Sequence, residues 1–223
     1  MRRRSQLYVP ANNPRMIAKA AAIEADSILF DFEDAVPPDE KESARRSLGA
    51  ELRKADWGHR ELGARINAPG TPDGERDLGA LAAEPLVSML VVPKAESDLS
   101  PLGKATGKAL IPIIETARGV LHVEDVVRSG GVVAVTYGAG DLATSVGGDV
   151  EAYGRNIYVK TRLVIAAAAY GPRGDRPGVL RSQGRRRLPG GGAGGETPRL
   201  RREAGRSPKP GASRERGLHP DGG

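Results

Sequence analysis

The sequence predicts an α/β fold of the (β/α)8 TIM-barrel type, broken off after about six strands. Three observations carry this. Up to Tyr170 short apolar segments alternate with helix-like ones, the order that produces parallel strands joined by right-handed crossovers. The apolar segments are nearly continuous rather than alternating, as in a sheet covered on both faces. Glu33, Arg65, Lys94, Glu115 and Asp141 each fall at or just beyond the C-terminal end of a strand, where a barrel assembles its site from several strands. A doubly wound open sheet shares the first two features. It would carry a Gly-rich phosphate loop after its first strand, and Val9-Pro10-Ala11-Asn12 is not one.

Ser5–Val9 is the first strand. Asn12-Asn13-Pro14 supplies a polar cap with proline near the first helical position, opening a helix to Ala25. Ser27–Phe32 is the second strand, and Pro37-Pro38-Asp39-Glu40 opens a helix to Leu52. Glu61–Asn67 and Leu86–Val92 are the third and fourth strands, with a helix over Thr71–Ala83 between them. Ala109–Ile114 and Val132–Tyr137 complete the six. Further helices are expected over Leu99–Thr106, Arg118–Ser129 and Tyr153–Tyr170.

Composition divides the chain into two parts, a barrel portion over 1–170 and a tail over 171–223. The formal net charge of +6 suggests a polyanion partner until its distribution is read. Residues 1–170 hold 21 Lys+Arg against 23 Asp+Glu, whereas residues 171–223 hold 13 against 5. The basicity lies in the tail, not on a folded face, so no nucleic-acid partner is expected. Of those last 53 residues, 33 are Gly, Pro or Arg, a composition that buries too little surface to offset chain entropy. The absence of cysteine excludes disulfides and thiolate metal sites. No run approaches the ~18 apolar residues of a membrane helix, and the basic start Met1–Arg4 lacks a following apolar segment. The expectation is a cytoplasmic protein with no membrane association.

Four segments concentrate the chemistry: Phe30-Asp31-Phe32-Glu33-Asp34-Ala35-Val36, Arg65-Ile66-Asn67-Ala68-Pro69-Gly70-Thr71, Pro112-Ile113-Ile114-Glu115-Thr116-Ala117-Arg118-Gly119 and Tyr137-Gly138-Ala139-Gly140-Asp141-Leu142. Glu115 and Asp141, at neighbouring strand ends, offer two hard oxygen ligands and leave other positions to water and substrate, the habit of Mg²⁺. A cation so held chelates an α-keto acid and stabilises developing negative charge. Arg65 offers a fixed, always-charged fork for a carboxylate or enolate-like oxygen. Glu33 and Asp34 are placed to orient that guanidinium or to hold a metal-bound water. Taken singly, each has a plainer reading: a helix cap for Asp34 or Asp141, a structural ion pair for Arg65. Their recurrence at successive strand ends favours a common site.

Together with Arg4-Ser5-Gln6-Leu7-Tyr8-Val9-Pro10, Val92-Pro93-Lys94-Ala95-Glu96 and Ser145-Val146-Gly147-Gly148, these segments resemble the HpcH/HpaI aldolase and citrate lyase β-subunit family over residues 4 to 170. The resemblance implies a Mg²⁺-dependent carbon–carbon lyase that cleaves a 3-hydroxyacyl-CoA of the citryl-, malyl- or citramalyl-CoA type to acetyl-CoA and a keto acid. It implies Glu115 and Asp141 as metal ligands, Glu115 also as a substrate contact, Arg65 as a substrate-binding and catalytic residue, and Glu33 in the same polar network. It also implies an acyl-CoA or keto-acid partner and a homotrimer or hexamer. Gly140 stands where many relatives carry an acidic residue. The alternatives are a class II aldolase on free hydroxy-keto acids and a non-catalytic or inactive member. Of His59, His122 and His219, none sits at a first-strand loop, which favours the CoA branch; His122 reads as a surface or packing residue.

The family continues past the equivalent of Tyr170 with a seventh strand and a Gly-Phe-Asp-Gly-Lys-Gln-Ala-x-His-Pro-Ser-Gln segment, and this sequence does not. Read one nucleotide later, Leu200–Pro210 is compatible with Phe-Asp-Gly-Lys-Gln-Ala-Val-His-Pro-Ser. The same offset over Gly171–Gln183 permits a helix end and an apolar strand. A one-nucleotide frame change near codon 172 is therefore expected. The acidic residue that several relatives contribute to a neighbouring subunit's site would then be missing.

Overall fold

A computed structural model describes residues 3–170 and 178–179; the tail segments used in the reading-frame comparison lie, except for Gly178 and Val179, outside the described residues. Every strand pairs in parallel with the next one in the chain, in the order β1 (Gln6–Pro10), β2 (Ser27–Asp31), β3 (Glu61–Arg65), β4 (Met89–Val92), β5 (Ala109–Ile114), β6 (Ala134–Tyr137) and β7 (Gly178–Val179). A doubly wound sheet would reverse direction at a switch point. Unbroken sequential order is that of a barrel wall, here a partial one. The six expected strands are present. The two-residue β7, paired with Ala134 and Val135, is additional and lies in the stretch read as tail.

The helices are α1 (Pro14–Ala20), α2 (Lys41–Leu52, after a 3₁₀ turn at Pro38–Glu40), α3 (Pro72–Ala82), α4 (Ser100–Thr106), α5 (Ala117–Leu121), α6 (Val123–Arg128), α7 (Ala139–Val146), α8 (Val150–Gly154) and α9 (Ile157–Tyr170). The caps are local and legible. Asn13, Thr71 and Thr116 accept from the amides of Met16, Gly74 and Gly119 at 3.0, 3.1 and 2.9 Å, satisfying donors that a helix start leaves free.

Three boundaries differ from expectation. The helix expected over Arg118–Ser129 is interrupted at His122, which leaves helical geometry at φ −102°, ψ 18°. The one expected over Tyr153–Tyr170 is two helices, α8 and α9. A further helix, α7, occupies Ala139–Val146, where none is expected.

Strand side chains alternate between two layers. Ile28, Phe30, Leu90, Val92, Leu110 and Val135 face the helices in the main core. Leu29, Met89, Val91, Ile111, Ile113 and Ala134 form a separate inner layer. Gly63 belongs to this inner face, and a Cβ there would meet Met89 Cγ at 2.6 Å and Leu29 Cδ2 at 2.9 Å. Period-two alternation then puts Tyr8, Asp31, Arg65 and Glu115 on the inner face as well. Asp31 and Arg65 are direct register partners at the strand ends, so the polar residues crown the inner apolar layer.

Candidate active site at the strand ends

Arg65 is the hub of the acidic cluster. Its Nε and Nη2 donate to the two carboxylate oxygens of Asp31 at 2.8 and 2.6 Å, a bidentate fork. Its Nη1 lies 2.9 Å from Glu33 Oε2 and 3.2 Å from Asp34 Oδ2. Its guanidinium carbon sits 5.6 Å from the centre of the Tyr8 ring. The cationic fork is therefore held on four sides. The sequence reading placed Glu33 and Asp34 around Arg65 but gave Asp31, its strongest partner, no role. Its signal was the register of two adjacent strands, which a motif read along one strand does not reveal.

A second network anchors this cluster from behind. The buried Lys41 donates from Nζ to the carbonyls of Phe32 and Glu33 at 2.6 and 2.8 Å and to Asn67 Oδ1 at 2.7 Å. Asn67 in turn donates through its main-chain and side-chain N–H to Asp77 Oδ2, both at 2.7 Å. Arg45 closes the chain on Asp77 Oδ1 at 2.7 Å. All three acceptors of Lys41 belong to the loops after β2 and β3, so one ammonium ties those loops together. A lysine opening a charged helix reads in sequence as a solvated residue; its burial arises only from the two loops that close over it.

Glu115, 5 % exposed, accepts from the Lys94 amide at 2.8 Å. Its carboxyl faces Gly138, where a Cβ would stand 2.7 Å from Glu115 Cβ. Only a residue without a side chain lets Glu115 occupy this place. Burial, then the negative charges of Glu33 and Asp141, push the Glu115 carboxyl up to about 7, against the lowering effects of the Lys94 amide and Arg65. Burial likewise raises Glu33 to about 7, opposed first by Arg65. Tyr8 is pushed up to about 12, again chiefly by burial. Asp141 lies exposed in the first turn of α7. Gly140 beside it has open space at its missing Cβ, so the acidic side chain of other sequences would fit there.

The structure thus brings Glu33, Arg65 and Glu115 to one end of the sheet, with Asp141 within electrostatic range of Glu115. Among the described residues no group of three or more Asp, Glu, His or Cys forms a complete metal cage. A buried carboxyl raised by two neighbouring carboxylates is relieved by a divalent cation, and two oxygen ligands with open positions suit Mg²⁺. His122 is half-exposed, its Nδ1 3.6 Å from Asp125 Oδ2, away from this cluster.

A partial parallel barrel with a carboxylate-rich centre at its strand ends defines a class of protein; the comparisons give the family. Residues 4–171 match HpcH/HpaI aldolase/citrate lyase, and the chain belongs to that family. It is 37% identical over 152 residues to a (3S)-malyl-CoA thioesterase of Cereibacter sphaeroides, covering 65% of this chain and 51% of that one. It is 34% identical over 171 residues to a citrate lyase subunit beta-like protein of Mycobacterium tuberculosis, covering 74% and 60%. Among solved structures, a citrate lyase β subunit from M. tuberculosis complexed with oxaloacetate and magnesium superposes with TM-score 0.64 at 31% identity, covering 80% of this chain and 78% of that one. The chain spans only about half to three-fifths of the length of these curated relatives.

Proposed function

We propose that this chain is a Mg²⁺-dependent carbon–carbon lyase acting on a 3-hydroxyacyl-CoA of the citryl-, malyl- or citramalyl-CoA type. The observation that supports it most is the buried Glu115, held by the Lys94 amide, faced by Gly138 and raised by Asp141 and Glu33. Such a carboxylate is built to meet a cation. In this reading Glu115 and Asp141 hold Mg²⁺, with Glu115 also beside the substrate. Mg²⁺, when bound, chelates the keto-acid end and withdraws electron density from its oxygen.

The chain's own residues do the rest. Arg65, fixed by Asp31, Glu33 and Asp34, presents a guanidinium that binds substrate and balances negative charge as it develops. The 3-hydroxyl proton leaves and the C2–C3 bond breaks. Its electrons pass to C2, the carbon α to the thioester carbonyl, as an enolate that is then protonated at C2, giving acetyl-CoA and a keto acid. Glu33, with a carboxyl near 7, is suited to hold or release a proton beside these atoms at neutral pH. The names of the relatives support this reading in two respects: a (3S)-malyl-CoA thioesterase supports the acyl-CoA class of substrate, and an L-malyl-CoA/beta-methylmalyl-CoA lyase supports the carbon–carbon cleavage. So does a related M. tuberculosis structure in complex with magnesium, acetoacetate and coenzyme A.

We place the site-bearing unit in residues 1–170, in the cytoplasm. No described helix is long and apolar enough to cross a membrane. The association is a homotrimer or hexamer. In support, α9 carries Ile157 and Ile165 at 76% and 62% exposure besides its buried face, and a helix apolar on two faces calls for a second covering. Acetyl-CoA release from citryl-, malyl- and citramalyl-CoA, with Mg²⁺ and with chelator, tests the activity. Magnesium-dependent release from one of them, abolished in Arg65→Ala, is expected. A folded chain that releases none from any of the three is instead a non-catalytic member.

A further inference from the structure

Lys94 combines three features, of which the assignment above uses only its main-chain amide. It is the one residue other than glycine with positive φ among those described, at +50°, a conformation that costs a side-chain-bearing residue free energy and clusters at functional sites. Its amide is the donor that holds Glu115. Glycine would serve both purposes at lower cost, so the backbone does not account for a lysine here. Its side chain is exposed on the wall of a cavity of about 590 Å³ shared with Glu33, Val36, Pro37 and Asn67. It lies close enough to Glu33 to act on its charge, yet among the described residues its ammonium makes no hydrogen bond or ion pair within 4 Å. The other lysine of that cavity, Lys41, is consumed by three acceptors, and Arg65, held by its carboxylates, does not line the cavity. Lys94 alone brings an uncommitted cation to the cavity.

We propose that Lys94 is a substrate-positioning residue that receives the anionic group of the substrate lying beyond the reach of Arg65 and the metal ligands. Resting on the lyase reading, this makes Lys94 a determinant of which acid is accepted. Two sources offer such a group: the far carboxylate of a dicarboxylic keto acid, or the phosphates of coenzyme A. The Lys94 backbone on Glu115 and its side chain sharing the cavity wall with Glu33 put this cation next to the reacting end of the substrate, which favours the carboxylate. A charged hydrogen bond of that kind corresponds to about tenfold or more in Kd.

The test is calorimetric binding of oxaloacetate, pyruvate and free coenzyme A to the full chain in Mg²⁺, with Lys94→Gln and Lys94→Gly beside the wild type. Both variants keep the Glu115-holding amide. Lys94→Gln retains the strained φ, and Lys94→Gly relieves it and is expected to raise Tm. Both are expected to bind oxaloacetate at least tenfold more weakly, with pyruvate and coenzyme A unchanged and Mg²⁺ affinity preserved. Weakening confined to coenzyme A would keep Lys94 as the anion receiver but move its partner to the phosphates. Unchanged binding of all three ligands in Lys94→Gln would overturn the proposal while leaving the lyase reading intact. A wild type that binds none of the three in Mg²⁺ would remove both.

Discussion

Replacing Glu115 by Gln separates the electrostatic account of the site from a purely steric one, because the amide has the same shape and no charge. Glu115 is 5 % exposed and its carboxyl is raised from 4.5 to about 7 by burial and by Glu33 and Asp141. Below pH 4.5 the group is protonated whether the chain is folded or unfolded, and it costs nothing. Between 4.5 and 7 the unfolded chain gives up its proton first, so folding weakens as pH rises. Above 7 both states are ionised and the full penalty applies. At about 1.4 kcal/mol per pH unit, this amounts to roughly 3 kcal/mol. Urea unfolding of both proteins in chelator at intervals from pH 4 to 8 reads it directly. Glu115→Gln should match the wild type near pH 4 and exceed it by up to about 3 kcal/mol at pH 8. Glu33 titrates in both proteins, so the difference between the two curves reports Glu115 together with its coupling to Glu33. Adding Mg²⁺ at about 100 times its Kd should return about 2.7 kcal/mol to the wild type at pH 8 and far less to the variant. Parallel pH curves, or equal stabilisation of both proteins by Mg²⁺, would refute the reasoning.

Gly138→Ala drives a methyl group into Glu115. It should cost about 1–3 kcal/mol of stability and weaken Mg²⁺ binding, both measurable by thermal shift with and without the ion. Lys41→Met leaves the Phe32 and Glu33 carbonyls and Asn67 Oδ1 without their shared donor; a loss of about 3 kcal/mol in urea unfolding is expected. Arg65→Lys keeps the charge but forfeits the fork to Asp31 and should lower kcat by about 10²–10³-fold in the acetyl-CoA release assay. The nucleotides around codon 172 should show the one-base offset that joins the barrel portion to its family's C-terminal segment, and sequencing the gene decides it.

Much of the fold was legible because it is written in local terms. Continuous apolar runs such as Ser27–Phe32 and Ala109–Ile114, separated by capped helices, specify parallel strands wherever they occur. The caps at Asn13, Thr71 and Thr116 are set by residues within three positions of the amides they serve. Glu33, Arg65, Glu115 and Asp141 were recognisable as a set because strand ends in such a fold converge. Boundaries that depend on neighbours were less legible. The break at His122 leaves the apolar spacing of a single helix intact, and α7 begins among Gly138 and Gly140, residues of low helix propensity.

The sequence by itself determined the succession of strands and helices and the residues standing at the strand ends, since apolar runs and capping need no distant partner. Tertiary structure alone decided who meets whom. Asp31 becomes the partner of Arg65 only through the register of β2 on β3. Lys41 becomes buried only when two loops fold over it, and Gly138 becomes obligatory only when Glu115 arrives beside it. Those are contacts between residues 23 to 34 positions apart, or across two loops. Their free energy depends on burial and distance, quantities that exist only once the chain has closed on itself.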